Sequence, residues 1–322
     1  METPADLEMI RLLADGRFHS GAALGEMLGI SRAAIWKRMQ RLAEFGIEVE
    51  SVRGKGYRLP RPLDLIEPDK VRDALAGRAA LQFKPVTGST NTDAMTRAAS
   101  GVVSPLVITT ECQSDGRGRR GRQWRSPFGA NLYVSVLYQL SGGFSSLGGL
   151  SLAAGVAVSQ VLGELAPDLD LGLKWPNDLY VNGAKLGGVL IELAGEMEGR
   201  VQVVVGVGIN VAMPASQAAA IDQAWTDLEQ ACAVRPSRTV LTVAVARALL
   251  DMLERFSQEG FAPFMAAFQQ RDLCRDQPVS VQAHGDSRAG IARGVKEDGA
   301  LCVEIDGERH YVHGGEVSLR LQ

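Results

Sequence analysis

Residues 115–125 read "DGRGRRGRQWR", with arginines at 117, 119, 120, 122 and 125 and glycines at 116, 118 and 121. A run this charged cannot enter a core, because buried charge must be paired or it is strongly unfavourable. It reads as a disordered RNA-binding segment, a solvated hairpin tip, or a mobile loop that closes over an anion. The flanks narrow the choice. "PLVITTEC" precedes it and "NLYVSVLYQL" follows closely, both rich in β-branched and apolar residues and both of strand length. The arginines therefore connect two strands and do not form a low-complexity tail.

A chain of 322 residues predicts two or three domains. Hydrophobic residues at 46% and charged residues at 22% are globular values and exclude general disorder. No apolar run is long enough to span a bilayer, and the acidic, periodic start "METPADLEMIRLLADG" is unlike a signal peptide, so no membrane association is expected. Cys112, Cys232, Cys274 and Cys302 are scattered, which argues against a disulfide framework or zinc site and fits a reducing, cytoplasmic location. His310 and His313 in "HYVH" read as ordinary strand positions, and no metal site is expected from protein side chains. Charge is uneven. Residues 31–61 hold eight Lys or Arg against three Glu, a net of +5, which leaves -8 elsewhere in a chain of net charge -3. A basic end on an acidic body suggests a nucleic-acid-binding module joined to something else.

That basic end has the order helix, glycine turn, helix. Leu7, Ile10, Leu12 and Leu13 form one helical pattern, and Leu24, Met27 and Leu28 a second that ends at Gly29. Ser31 then caps a third helix that buries Ile35, Met39 and Leu42. Its polar side carries Arg32, Lys37, Arg38 and Arg41, placed to reach base edges and phosphates in a major groove. "IEVESVRGKGYRLP" is a hairpin whose tip holds Lys55, the wing of a winged helix-turn-helix. "RPLDLIEP" reads as an extended linker.

From about residue 81 to 270, strands and helices alternate. Ser89, Thr90 and Asn91 open a helix after the strand "LQFKPV", either as simple caps or as a helix N-terminus that receives a polar or anionic group. "LGGLSLAAGVAVSQVLGEL" is apolar nearly all round and reads as a buried helix. Asn182-Gly183 is a two-residue turn between apolar runs. Lys174 and Lys185 stand on opposite arms of that region among apolar neighbours, as edge-strand gatekeepers or catalytic cations. Gly206 and Gly208 in "VQVVVGVGINV" permit close approach by a ligand. The arginine loop is neither a Walker A loop, since no G-K-[ST] follows, nor a dinucleotide fingerprint, since no βαβ unit surrounds it.

"GSTN", "GRGRRGRQW", "SPFGANLYVS", "KWPNDLYV", "KLGGVLIE" and "GVGINV" resemble, in order and spacing, the motifs of the biotin protein ligases. With the N-terminal winged helix, nearly the whole chain is similar to the bifunctional ligases that also repress the biotin operon. The resemblance implies a multidomain α+β protein. It divides into a winged helix-turn-helix at 1–62, a class II synthetase-like catalytic domain at 63–272 and an SH3-like β-barrel at 273–322. The short tail strands with Asp298-Gly299 and Asp306-Gly307 turns fit the last of these independently.

The resemblance also implies a two-step reaction. Biotin and ATP form biotinyl-5′-AMP, and the biotin then passes to a lysine of the biotin carboxyl carrier protein of acetyl-CoA carboxylase. By matching positions, Ser89, Thr90, Asn91 and Gln113 would bind biotin's polar groups, while Arg117, Gly118 and Arg119 close over its tail and the acyl phosphate. Trp124, Lys174, Asn177 and Asn210 would serve the nucleotide. Lys185 is the expected catalytic cation, with Lys174 in support and Arg119 as the second catalytic residue. Magnesium would accompany ATP, with Asn177 and Asp178 as the nearest groups to orient it. Operator DNA and a homodimer formed with biotinyl-5′-AMP complete the expected partners. A ligase for another carboxylate cofactor such as lipoate, and a transcription factor that only senses ligand, are the competing readings. An RNA-binding protein is weaker, because aromatic stacking partners are few.

Overall fold

The computed structural model describes residues 4–42, 46–102, 105–197, 199–219, 221–283, 286–314 and 318–321. Three helices, α1 (Pro4–Leu13), α2 (Gly21–Leu28) and α3 (Arg32–Leu42), build the N-terminal unit with a hairpin of β1 (Glu50–Val52) and β2 (Gly56–Arg58). Ser20 accepts the Ala23 amide at 3.0 Å to start α2, and Gly29 in the left-handed region (φ 65°) turns the chain. Ser31 then accepts the Ala34 amide at 3.2 Å to start α3. Ile10, Leu13, Leu24, Ile35, Met39 and Leu42 form the core as expected, joined by Met9, with Leu7, Leu12 and Leu28 partly buried against them. Met27 departs from its pattern and is 62% exposed. Only glycine fits at 56, where a Cβ would lie 2.0 Å from the His19 carbonyl oxygen. That contact lets His19 and Tyr57 exchange backbone bonds of 2.9 Å, which hold the wing to the helices.

The central unit follows α4 (Pro68–Ala74) with β3 (Ala80–Thr87), α5 (Thr90–Ala99), β4 (Leu106–Gln113) and β5 (Asn131–Ser141). Then come α6 (Leu150–Leu165), β6 (Leu171–Lys174), β7 (Asp178–Val181), β8 (Ala184–Met197) and β9 (Arg200–Asn210). Two single-turn helices, α7 (Ala215–Ala218) and α8 (Leu228–Ala231), precede α9 (Arg238–Glu259) and α10 (Ala262–Gln269). Seven strands form one sheet in the order β3-β4-β5-β9-β8-β7-β6. Among these neighbours only β3 and β4 are parallel. The predicted alternation of strands and helices is therefore only partial, because β6 to β9 run as a meander. The absence of a βαβ unit beside the arginines also needs correction. The crossover β3-α5-β4 leads straight into the loop, which then crosses to the antiparallel β5 and opens no phosphate-binding helix. The β7–β8 turn is as expected, with Asn182 and Gly183 at φ 50° and 75°. Helices α6 and α9 bury one face of the sheet, α6 almost all round as its sequence predicts. A smaller cluster under α5 covers part of the other face.

The segment 61–67 is extended, yet it is not a free spacer. Leu63 donates its amide to Ala14 O at 2.9 Å, and Arg61 Nη2 donates to Ala212 O at 2.7 Å. Arg238 and Glu111, 0% and 1% exposed, pair beneath it. Arg238 also donates from Nη1 to Asp64 O at 2.9 Å and from Nε and Nη2 to Asn131 O at 3.0 and 2.8 Å. Glu111 Oε1 takes the Ile66 amide at 2.7 Å. A sequence that looks like a linker is thus held along its length by a buried polar network. It had no such signal of its own, because its partners lie in distant elements.

The C-terminal unit holds β10 (Pro278–Ala283), β11 (Asp286–Val295), β12 (Leu301–Ile305), β13 (Glu308–Val312) and β14 (Ser318–Leu321). They form one antiparallel sheet, β13-β12-β11-β10-β14, compatible with a small barrel. Trp175 Nε1 donates to Gly299 O at 3.1 Å across the boundary with the central unit.

Asp272 sits at that boundary. Its Oδ1 accepts the Cys274 amide at 2.9 Å, and its Oδ2 is buried without a hydrogen-bond partner. Burial pushes its carboxyl up to about 6, against the pull of the Cys274 amide. Because the folded value is raised, the folded carboxyl resists ionisation. The cost of holding it appears as pH rises from about 4 and is complete above about 6. Asp272→Asn keeps the acceptor and removes the charge. It is expected to stabilise the protein by roughly 1–3 kcal/mol at about pH 8 and to change little near pH 4. Urea midpoints at the two pH values check this, and equal gains at both would exclude the carboxyl as the cause.

Candidate active site

The site begins where β3 hands over to α5. Ser89 occupies the N-cap position but makes no side-chain cap bond. The expected capping by the Ser89-Thr90-Asn91 run is replaced by Gln113, at the end of β4, whose Oε1 takes the Thr90 amide at 2.9 Å. Gln113 Nε2 reaches Ser126 Oγ at 2.9 Å. Ser135 Oγ, from β5, lies 2.7 Å from Thr90 Oγ1 and 2.6 Å from Asn91 Oδ1. Ser89, Thr90 and Asn91 are each 4% exposed, so this polar floor is fixed by its own hydrogen bonds. Gly206 and Gly208 face it from β9. The groups they admit are protein groups: a Cβ would lie 2.1 Å from Asn91 Oδ1 at 206 and 2.7 Å from the Trp124 indole at 208.

The arginine loop is a narrow hairpin. Its base closes where Trp124 donates its amide to Gly116 O at 2.8 Å, and its tip where Gly118 donates to Arg122 O at 2.7 Å. Arg120 takes the left-handed conformation at φ 58° inside a 3-10 turn, Arg119–Gly121. The side chains then spread. Arg117 reaches Thr92 Oγ1 at 2.9 Å and Glu192 at 3.1 Å. Arg119 reaches Asn177 Oδ1 at 3.3 Å and the Gly314 carbonyl of the C-terminal unit. Burial lowers the Arg119 guanidinium's pKa, while Asp178 nearby raises it.

On the far wall, Lys185 Nζ pairs with Asp178 Oδ1 at 2.8 Å and lies 5.7 Å from the centre of the Trp124 ring. Lys174 Nζ sits 5.4 Å from the Tyr180 ring centre. Burial, then Asp178, pushes the Tyr180 phenol up to about 12, so it is neutral at physiological pH. Asn177 is held on both sides, with Nδ2 donating to Val189 O at 2.8 Å. Asn210 Nδ2 donates to Thr226 O at 3.1 Å. All the expected ligand residues, from Ser89 to Asn210, line one cavity of about 760 Å³, within the size range of small-ligand sites. Its cations converge on one region from two sides, an arrangement suited to joining two anions. Among the described residues no cluster of three or more His, Cys, Asp or Glu is placed to hold a metal.

Several contributors escaped the sequence reading. Glu192 closes the "KLGGVLIE" run but was given no role of its own, and Ile221, Asp222, Gln223 and Trp225 line the cavity from a stretch without periodicity.

On the basic unit the expected contacts divide. Arg32, Lys37 and Lys55 are exposed. Arg41 instead pairs with Asp6 of α1 at 3.0 Å, and Arg38, whose side chain is 17% exposed, lies 3.8 Å from the same carboxylate. Those two are partly occupied within the domain. Trp36, 55% exposed, and Gln40 share the open face of α3 and were overlooked as ordinary helix residues.

The chain matches the biotin/lipoate A/B protein ligase family over residues 83–210, an HTH domain over 7–58, and the biotin protein ligase C-terminal domain over 276–320. It is 42% identical to the bifunctional ligase/repressor BirA of Salmonella typhimurium, over 99% of this chain and 98% of that protein. It is 41% identical to the Escherichia coli protein of the same description, over 98% and 97% of the two chains. The biotin protein ligase of Aquifex aeolicus, solved in complex with biotin and ATP, superposes with a TM-score of 0.64 at 27% identity, covering 76% of this chain and 99% of that one.

Proposed function

The chain belongs to the bifunctional biotin protein ligase and repressor family, and from that premise we propose which of its residues carry the two activities. It is an ATP-dependent biotin protein ligase and a ligand-controlled repressor of biotin-synthesis genes. In the first step a biotin carboxylate oxygen bonds to the α-phosphorus of ATP while the bond to pyrophosphate breaks. In the second, the acceptor lysine's amine bonds to the acyl carbon, AMP leaves, and the amine's proton is released.

Both first-step reactants are anions, so cations must offset their repulsion and the charge growing in the transition state. The observation that carries this reading is Lys185, whose ammonium faces the cavity paired with Asp178, with Arg119 of the loop brought to the neighbouring Asn177. Lys185 would move from the Asp178 carboxylate to the reacting oxygens. Ser89, Thr90, Asn91 and Gln113 would bind biotin's ureido and neighbouring groups, and Gly118 and Arg119 its tail and the acyl phosphate. Trp124, Lys174, Asn177 and Asn210 would hold the nucleotide.

Magnesium fits as a companion of ATP. Among the described residues Asp178 and Asp222 are the carboxylates lining the cavity, too few for a protein cage but sufficient for an ion that keeps phosphate and water as ligands. It would neutralise phosphate charge.

The proposed boundaries follow residues 62 and 272. Arg32, Lys37 and Lys55, with a smaller part for Arg38 and Arg41 and with Ser31 as the cap, would meet operator DNA. A single small domain makes few phosphate contacts, so a twofold dimer formed with biotinyl-5′-AMP would bind a palindromic operator far better. The carboxyl carrier protein of acetyl-CoA carboxylase would compete for the same face. A cytoplasmic enzyme is the reading that the scattered cysteine spacing of the sequence favours. No described helix is long and apolar enough to cross a membrane.

Exchange of pyrophosphate into ATP tests the chemistry. Exchange is expected with biotin and not with lipoate. Exchange with lipoate alone would move the chain to the related ligases, and binding without exchange would leave a sensor. Sedimentation with and without biotinyl-5′-AMP tests the dimer, and equal self-association in both would remove that link.

A further inference from the structure

Where β8 passes beneath the arginine loop, a carboxylate stands that the chemistry above does not use. Glu192 is 24% exposed at its side chain, and its Oε2 accepts the Asn91 amide Nδ2 at 2.7 Å. Arg117 Nη2 lies 3.1 Å from Oε1 and 3.3 Å from Oε2, and donates to Thr92 Oγ1 at 2.9 Å. Asn91 is pinned at both ends of its amide. Its Nδ2 also faces Leu190 O at 3.4 Å, its Oδ1 meets Ser135 Oγ at 2.6 Å, and the bare Cα of Gly206 gives it room. One carboxylate thereby ties together the start of α5, the middle of β8 and the first arginine of the loop.

Arg117 and Arg119, two residues apart, go to opposite sides. Arg119 crosses to Asn177, beside Asp178, whereas Arg117 turns back to Thr92 of α5 and Glu192 of β8. A guanidinium held by a carboxylate and a hydroxyl has its charge already matched there. Resting on the ligase reading, we propose that Glu192 is a positioning residue for biotin. It orients the Asn91 amide in the cavity wall and anchors the loop's first turn through Arg117. Arg117 is then the fixed post on which the loop swings, and the cationic work over the acyl phosphate falls to Arg119 and Lys185. A charged hydrogen bond to a nearly buried amide specifies its orientation more strongly than a solvated surface pair would.

The test uses Glu192→Gln in the full chain. Glutamine keeps the shape and an acceptor for Asn91 but removes the charge opposite Arg117. In biotin-dependent pyrophosphate exchange the KM for biotin is expected to rise roughly tenfold, with kcat within about twofold. A second readout needs no turnover. The loop carries five arginines between 117 and 125, so trypsin without added ligand should cut there several-fold faster in Glu192→Gln, at an unchanged melting temperature. Arg117→Gln should reproduce both effects. The double variant should be no worse than either single one, because each breaks the same link.

An unchanged KM with unchanged cleavage overturns the proposal. So does a fall in kcat at constant KM, or an additive double variant. If Glu192→Gln lowers the melting temperature, Glu192→Asp decides. Its shorter arm loses Arg117 but keeps the charge, and a KM as high as that of the Gln variant supports a geometric anchor, while a parental KM overturns it. If the parent shows no biotin-dependent exchange, the ligase reading fails, and the trypsin comparison still decides whether Glu192 anchors the loop.

Discussion

Lys185→Ala is expected to slow formation of biotinyl-5′-AMP by about 100-fold or more, the loss that follows removal of one pre-placed charge from a transition state. The side chain is only 14% exposed, so water cannot readily supply the missing charge. Its partner Asp178 would remain as an unneutralised carboxylate facing two anionic substrates, which deepens the loss. Lys185→Arg should recover little, because a planar fork cannot occupy the place of a compact ammonium between Asp178 and the Trp124 ring. Single-turnover formation of the adenylate is the measurement, with the melting curve recorded alongside. A parental rate would reduce Lys185 to a strand lysine paired with its neighbour.

The second large effect concerns stability. Arg238→Met would leave the Glu111 carboxyl, 1% exposed, without its guanidinium partner in the interior. Breaking a buried pair from one side destabilises by about 3–5 kcal/mol, a large part of the stability of most domains. Glu111→Leu combined with Arg238→Met should restore more than half of that, because no charge is then stranded. The Ile66 amide and the Asn131 and Asp64 carbonyls would still have lost partners, so recovery should be incomplete. Urea unfolding of the three variants measures this. A single variant within about 1 kcal/mol of the parent would mean that solvent or a rearrangement replaces the pair.

The features that sequence made visible were those whose cause is local. Ser31 and Gly29 mark helix ends through bonds to residues three or four away, and Asn182-Gly183 closes a hairpin between adjacent strands. The arginine loop declared its place because strand-like runs lie on either side of it. What stayed hidden depends on partners remote in the chain. Gln113 caps α5 from 23 positions away, and Arg41 turns to Asp6 across 35, so neither can be inferred from periodicity. The order of the sheet, with β9 between β5 and β8, rests on pairing that no local pattern encodes. The cavity residues came together largely as the ligase motifs implied. The place of Glu192 between an amide and a guanidinium was not legible, because the fold brings its partners from α5 and the loop.

The held segment 61–67 has a consequence for reading DNA. A helix-turn-helix on a slack tether would sample many separations from its twin and accept operators of varied geometry. Here the tether is stapled at Leu63, Asp64 and Ile66 to the bodies on either side of it. In a pair of such chains the distance and phase between the two recognition helices become properties of the protein, as in a set caliper. Inserting or deleting a few base pairs between the half-sites should then abolish binding, where a slack tether would merely weaken it.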